Sequence, residues 1–387
     1  MSRIDDRIED YRSRLHQEDR DRFDEQYNDA YDELDENAIY DELDTTYERE
    51  EEHLEIVTAI ASAFHHKPIA DGYETGYRFA FTEPLEEQNS VEVGEEEVKN
   101  GDVILAKEDD GSAKVCIVEC KSGGAAGRDW AKKLEQIEEV VGTDKYREVL
   151  RDQLGVDEIV FEQYVVCGKL TQIVSMDYDR IDNDLDIPPN YAFWGYDLGD
   201  QQIVQVHGNV RDQRLAGEVN DSMDAGKVEN PIEFTFSDHP LTQLKALAER
   251  LINTKRKEED PHPFEFSRSG FYDAFDDELQ VGFTGDVRDK LVEQRVDSLL
   301  ETGRDVGFLT SEPDRLNSSR DYRILFQGQS IKAAKQAAED KYLEHKTEVK
   351  WKERAFEDVK SDFQPQQTRL GEWDSEHDDE EDGGENE

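Results

Sequence analysis

At 387 residues, with 96 Asp and Glu against 46 Lys and Arg, the chain carries a formal charge of −50. Such charge usually accompanies disorder, but Leu, Ile, Val, Phe and Tyr recur at regular periods, which excludes disorder throughout. Three cysteines give no disulfide framework, and no apolar run reaches the roughly 18 residues of a membrane span.

The acidity matches a halophilic-type protein working in molar salt, where the Debye length is about 3 Å and self-repulsion is screened. A DNA-mimicking protein is the other reading of the charge. It ranks lower, because the acidity covers the whole chain rather than one stripe. Counterion release contributes little at such salt, so the missing basic footprint does not argue against nucleic-acid binding. No signal sequence is apparent, and a cytoplasmic location without membrane contact is expected.

The first 46 residues are acidic but patterned. Ile4, Ile8, Tyr11 and Leu15, then Phe23, Tyr27, Tyr31 and Leu34, follow helical spacing and predict an acidic helical arm over 1–46. A cleaner helix is predicted from a cap at Thr45 or Thr46, with acidic first turns, a stripe of Leu54, Val57, Ala61 and Phe64, and Pro68 beyond its end. Stepping back from Leu54 by helical turns lands on Glu50, on the buried-facing side, with Glu51 as the alternate. His65-His66 have no Cys or further His at metal spacing and read as a helix end. YRFAFT and SVEVG are short strands in a loop-rich stretch over 69–100.

The organising stretch is Gly101 to Lys121. GDVILA and KVCIVECK are β-rich runs, and Asp110-Gly111 between them is the strongest short-range hairpin signal. With those two residues at the centre of the turn, Asp102 falls opposite Glu119, roughly 4.5–5.5 Å away between Cβ atoms. Lys121 is two residues on, and strand alternation places it on the same face. Two carboxylates a few Å apart repel unless a cation or proton lies between them. A hard divalent ion such as Mg²⁺ accepts such ligands and keeps several waters, one of which it makes nucleophilic. A lysine beside that water positions it, deprotonates it or stabilises charge on a phosphate. Cys116, Val118 and Cys120, on the other face, read as core.

After Lys121, Ser122 to Gly127 is glycine-rich without the Gly-Lys-Ser/Thr of a Walker loop. A helix over about Arg128 to Val141 puts Trp130, Leu134, Ile137 and Val141 on one face and Lys132, Lys133 and Gln136 elsewhere. A second helix over 145–154 and an apolar strand over 158–168 follow, and strand, helix, strand in succession predicts an α/β sheet. YAFWGYDLG and QQIVQVHG form a further strand pair that closes a first domain, 47–210. The polar, glycine-containing residues 211–230 read as a linker.

The second half, 231–373, has a different texture. SDHPLTQLKALAERLI is a helix capped by Ser237 or Asp238, with Pro240 in its first turn and Leu241, Leu244, Leu247 and Leu251 buried. Phe264, Phe266, Phe271, Tyr272 and Phe275 read as core. Asp286 to Thr302 is a helix that Gly303 ends. VGFLT and DYRILFQG make a small hairpin. Helices followed by a two-stranded wing fit a winged-helix-like DNA reader, and also any small α+β module. From Ser330 to Phe363 a long lysine-rich helix is suited either to tracking a nucleic-acid backbone or to pairing with its own Glu residues. A cut near residue 225 is expected to leave a folded, catalytic first domain. Residues 374–387 are an acidic disordered tail.

Asp102, followed by Glu119-Cys120-Lys121 at the end of an apolar strand, resembles the PD-(D/E)xK nuclease superfamily, the restriction-endonuclease-like fold. The resemblance covers roughly Glu50 to Cys167, and Gly101 stands where the family usually has Pro. It implies a mixed β-sheet flanked by helices, with Asp102 and Glu119 binding Mg²⁺ or Mn²⁺ and Lys121 assisting the attacking water. The family often places a Glu on the helix before the sheet, aimed at the metal, and Glu50 is the match. Some members carry a Gln and, four residues on, a Tyr on the helix after the sheet motif. Gln136 fits the first position and Val140 departs from the second. With Lys132 and Lys133 it completes the expected substrate-binding set. The implied partner is nucleic acid, DNA in first place, and a homodimer is compatible with it. Asp/Glu-x-Lys recurs by chance in so acidic a chain, as at Glu97–Lys99 and Glu339–Lys341, but neither ends an apolar strand paired to one that opens on Asp. The alternatives are a purely structural hairpin, or a non-catalytic nuclease-fold scaffold acting through its helical arms.

Overall fold

The computed structural model describes residues 3–83, 101–123, 141–184, 189–229 and 231–363. It is an α/β structure that divides into two units. One is Asp44–Tyr342, and the other joins the described residues up to Leu43 to those from Leu343 onward.

The smaller unit holds α1 (Arg3–Ser13), α2 (Gln17–Glu33), the first turns of α3 (Glu36–Ala63) and the C-terminal half of the last helix, Ile331–Lys360. The helical periodicity of the acidic arm is used as expected. Leu15 and Phe23 are buried with Phe356, Val359 and Phe363, and Ile8, Tyr11 and Tyr27 pack around them. Tyr31 stacks on Trp351 at 4.7 Å, and the Trp351 indole N–H donates to Tyr31 O. The expected helix start at Thr45 is absent, because α3 runs unbroken from Glu36. No Pro or Gly interrupts the sequence before Thr45, and the Thr side chains are outcompeted by continuous backbone pairing.

The larger unit is built on a seven-stranded sheet in sequence order: β1 (Arg78–Thr82), β2 (Val103–Asp109), β3 (Ser112–Lys121), β4 (Glu158–Lys169), β5 (Tyr191–Asp197), β6 (Gln202–Gly208) and β7 (Met223–Asp224). β1, β2 and β3 are antiparallel, β3, β4 and β5 parallel, and β6 and β7 antiparallel again. Asp110 and Gly111 both have positive φ, +39° and +83°, as a type I′ turn requires. They fix the register, with Asp109 opposite Ser112 and Val103 opposite Val118.

Between β3 and β4 the described chain includes α4 (Asp144–Leu154), capped by Thr143 and burying Tyr146 and Leu150. Two short helices, α5 (Leu170–Ile173) and α6 (Tyr178–Asp184), follow β4. One face of the sheet packs Val103, Leu105, Cys116, Val118 and Cys120 against Ile56, Val57 and Ile60 of α3. The other packs Ile104, Val115 and Ile117 with Val141, Tyr146 and Leu150. All three cysteines are free and buried.

Residues 211–230 are not a linker. Asp212 caps α7 (Gln213–Asp221) through the N–H groups of Arg214 and Leu215, and Leu215 and Val219 bury their side chains. β7 then adds to the sheet, so composition alone misjudged a short amphipathic turn of helix. The second half continues without a break: α8 (Pro240–Lys257), β8 (Glu265–Phe266), α9 (Arg268–Glu278), α10 (Gly285–Asp305), β9 (Leu309–Thr310), β10 (Tyr322–Ile324) and α11 (Ile331–Lys360). Its strands form a second sheet in the order β8-β10-β9, three strands where a two-stranded hairpin is expected. α8 takes His239 as its N-cap, with Pro240 in the first turn. Gly303 does not end α10. It lies inside the helix, where Leu309 Cδ1 occupies the space 2.6 Å from the position of a Cβ.

The halves of this unit are stitched together at the β1 edge. Thr82 N and Oγ1 both donate to Gln280 O, at 2.7 and 3.0 Å, and Gly282 N donates to Thr82 O. A cut near residue 225 would therefore strip the edge of the sheet rather than free a domain. The acidic tail from 374 lies outside the described residues.

Candidate functional site

The hairpin brings Asp102, Glu119 and Lys121 to one end of the sheet, the carboxyl end of the parallel strands β3 and β4, where open α/β sheets receive their ligands. The pairing differs from the expected alternation in one respect. Asp102 and Val103 both lie opposite Val118, with Asp102 N donating to Val118 O at 2.9 Å, the two-against-one arrangement of a β-bulge. The extra residue turns the Asp102 side chain toward α3. Its Oδ2 accepts from Cys120 N at 2.6 Å and lies 3.4 Å from His53 Nε2. Glu119 alternates with Val118 and Cys120 and so shares a face with Val115 and Ile117. The two carboxylates therefore approach from opposite sides of the strand end instead of sharing a face. Lys121 joins them: its ammonium pairs with Glu119 Oε1 and is held by the charge of Asp102.

The electrostatics follow from this crowding. Burial raises the Asp102 carboxyl, but His53 and then Lys121 outweigh it and hold the group at about 2. Burial lowers the His53 imidazole, yet Asp102 overrides that and pushes it up to about 9. Lys121 is likewise lowered by burial and raised more by Glu119 and Asp102. At neutral pH the cluster holds an anionic Asp102, a cationic His53 and a cationic Lys121. Glu119 is 5 % exposed, and Lys121 answers its charge.

Glu50 is exposed, not buried-facing. The α3 residue that reaches Asp102 is His53, one turn further along. Glu51 is engaged by Lys245 and the Tyr47 hydroxyl. Gln136, Lys132 and Lys133 lie outside the described residues, as do the expected strand SVEVG, residues 124–127 of the glycine-rich stretch and residues 128–140 of the following helix.

Four further residues belong to the neighbourhood. Lys169 ends β4 one residue beyond the partner of Lys121, Gly168, and pairs with Glu52 of α3. Its signal was in the sequence: VVCGK, like VECK, is an apolar run that stops on Lys. His53 precedes Val57 by four, which continues the buried stripe backwards. Asp238 and Glu83 had no comparable signal. Asp238 is 3 % exposed, accepts from Thr235 N and is pushed up to about 6, by burial first, with His53 opposing. The Glu83 carboxylate accepts the N–H groups of Phe236 and Ser237, both at 2.9 Å, while its own N–H lies 3.4 Å from Asp102 O. The second half thus reaches the neighbourhood of the site through the segment from Thr235 to Asp238.

Two carboxylates at a strand end are hard oxygen donors of the kind that hold Mg²⁺ or Mn²⁺, which take one or two carboxylates and retain water. Among the described residues no three His, Cys, Asp or Glu side chains are grouped to hold a metal. Because Asp102 and Glu119 approach from opposite sides of the strand end, an ion shared by both requires one of the two side chains to turn toward the other. Also among the described residues, no helix is long and apolar enough to cross a membrane. No protein-family model, no curated protein and no solved structure matches the chain.

Proposed function

We propose that the chain is a metal-dependent nuclease of the PD-(D/E)xK type, hydrolysing phosphodiester bonds in nucleic acid, with DNA the first candidate. The observation that carries this reading is the gathering of Asp102, Glu119 and Lys121 at the carboxyl end of β3, on a helix, three-strand antiparallel meander and parallel fourth strand, in that chain order. The restriction-endonuclease-like arrangement expected from the sequence has this order, from α3 through β1, β2 and β3 to β4.

Asp102 and Glu119 would hold the ion, which when bound lowers the pKa of a coordinated water toward neutrality. The protein's own groups supply the rest. Lys121 would position the attacking water, deprotonate it or stabilise charge on the phosphate. Cationic His53 holds the Asp102 carboxylate in place with the Cys120 N–H. Lys169 adds a second ammonium at the neighbouring strand end.

The second half is not assigned the nucleic-acid contact. Its order of helix, strand, two helices and two strands is compatible with the expected winged-helix arrangement. The exposed charges of α10, however, are mostly acidic: Asp286, Asp289, Glu293, Asp297, Glu301 and Asp305 against Lys290 and Arg304. Arg268 is already paired with Glu293 and Asp297. Several cations of the lysine-rich helix are likewise engaged: Lys335 pairs with Glu249, Lys350 and Arg354 with Glu42, and Lys352 with Asp5 and Glu348. The scaffold reading keeps two observations in its favour: the near-complete burial of Glu119 against Lys121, and the approach of Asp102 and Glu119 from opposite sides of the strand end.

The test is incubation of the purified protein with plasmid, linear and single-stranded substrates in molar KCl, with Mg²⁺, Mn²⁺ or EDTA. Metal-dependent cleavage that EDTA abolishes is expected. Intact substrates under every metal condition would move the assignment to the scaffold.

A further inference from the structure

Neighbouring strands β3 and β4 each end on a lysine, Lys121 and Lys169, and the register sets the two on opposite faces of the sheet. Glu119, Cys120 and Lys121 pair with Val166, Cys167 and Gly168, so Lys121 leaves the sheet on the Glu119 face. Lys169, one residue beyond Gly168, falls with Cys167 and Cys120 on the face that α3 covers. Asp102 turns toward that same face. Each side of the strand ends therefore carries one carboxylate and one lysine: Glu119 with Lys121, and Asp102 with Lys169.

Adjacent residues of α3 meet the two groups on its side. His53 lies at Asp102, and Glu52 pairs with Lys169. This pair is not what holds α3 to the sheet, because Ile56, Val57 and Ile60 are fully buried there. The Lys169 and Glu52 side chains remain 21 % and 31 % exposed, and an ion pair of that exposure contributes little to folding. Glu55, one turn along the helix, also feels the Lys169 charge and is exposed. Lys169 is thus a cation on the Asp102 side whose carboxylate partner is open to solvent. A phosphate oxygen can take the place of Glu52 without leaving a buried group unpaired.

We propose that Lys169 is a ligand for a substrate phosphate, kept by Glu52 in the unliganded protein and passed to the nucleic-acid backbone on binding. The proposal rests on the nuclease reading for the nature of the ligand. It adds the residue that holds the substrate on the Asp102 side. The two members of the pair then act on affinity with opposite signs: loss of Lys169 removes a contact, and loss of the Glu52 charge removes a competitor. A pair that only pins the helix gives both changes the same sign.

The test is binding of a short fluorescein-labelled DNA, as duplex and as single strand, followed by anisotropy with Ca²⁺ over about 0.5–1.5 M KCl. Lys169→Met should weaken binding about fivefold or more. It should also lower the slope of log affinity against log salt by about 0.7–0.9, the share of one phosphate contact. Glu52→Gln should tighten binding about two- to fivefold, the worth of the partly exposed pair it removes. In the Lys169→Met background the same change should have no effect. The proposal is overturned by an unchanged affinity or slope in Lys169→Met, or by weaker or unchanged binding in Glu52→Gln. Tightening that persists in the double variant, or a wild type that binds neither form of DNA, also overturns it. If Lys169→Met does not fold, Lys169→Gln takes its place. Cleavage with Mg²⁺ is read on the same DNA. A protein that binds through Lys169 without cutting overturns the nuclease reading alone, and one that cuts without responding at Lys169 overturns this proposal alone.

Discussion

Gly101, immediately before Asp102, offers a sharp test of how Asp102 is placed. Gly101 has φ +81°, a conformation that proline, locked near −65°, does not reach. A Cβ at Gly101 would also lie closer than 3.0 Å to Ile117 Cγ2, with Val118 O at 3.7 Å. Ile117 is fully buried in the sheet and has little room to yield. Gly101→Ala therefore costs about 1–2 kcal/mol for the left-handed backbone and about 1–3 kcal/mol for overpacking against Ile117. The expected total is about 2–5 kcal/mol. Gly101→Pro should cost more, since the backbone must flip and the Asp102–Val118 bulge with it. Urea denaturation in molar KCl measures the loss. Substrate cleavage should fall in parallel, because the Asp102 contacts with Cys120 N and His53 depend on that bulge. A Gly101→Ala protein within about 0.5 kcal/mol of wild type, or a Gly101→Pro protein as stable as wild type, would refute this account of the strand opening.

Glu119→Gln should leave the chain folded, at a cost of about 2 kcal/mol for the weakened bond to Lys121, and lower turnover by at least roughly 100-fold; cleavage surviving in that variant would count against a catalytic Glu119. Asp238 and Glu83 are raised from 3.8 to about 6 and from 4.5 to about 7, so the folded state holds protons that the unfolded chain has released. Their contribution is complete below the unfolded pKa values and lost as pH rises through the folded ones. For Asp238, faced by His53 and Glu50 of α3 and by Glu83, that amounts to about 3 kcal/mol. Asp238→Asn should flatten the fall in stability between about pH 4 and 6, and an unchanged profile would exclude Asp238 as its source. Truncation after residue 225 should give a chain without a cooperative thermal transition, as judged by circular dichroism; a sharp transition would show that the first half folds alone.

The hairpin was legible because one dipeptide set it. Asp110-Gly111 accepts the two positive φ values of a tight turn, and every pair from Asp109–Ser112 to Val103–Val118 follows from that choice. The bulge at Asp102 was not legible, since strand alternation has no term for an extra residue. The unexpected face of Asp102 follows from it. Helix periodicity found the stripe of α3 but not which of its polar residues meets Asp102, so it chose Glu50 over His53. Asp238 reaches the site across more than 100 residues of sequence, and Glu83 ties the distant Phe236–Ser237 segment to it, so no local pattern reports either. Composition misjudged 211–230, where Leu215 and Val219 at helical spacing behind the Asp212 cap outweigh the polar residues around them.

The same structure says where a chain of net charge −50 could meet a polyanion at all. Lys335, Lys350, Lys352 and Arg354 of α11 are engaged by Glu249, Glu42, Asp5 and Glu348, and the exposed face of α10 is mostly acidic. At the end of the sheet the balance differs, because His53, Lys121 and Lys169 are gathered against Asp102, Glu119 and Glu52. A divalent ion on Asp102 and Glu119 would tip that balance to net positive charge at the place where chemistry is proposed to occur. On the proposed reading, attraction for the substrate is then coupled to metal loading instead of being spread over a basic surface. Such an arrangement suits molar salt, where a wide basic footprint would gain little from counterion release, whereas a half-buried charge cluster is screened far less.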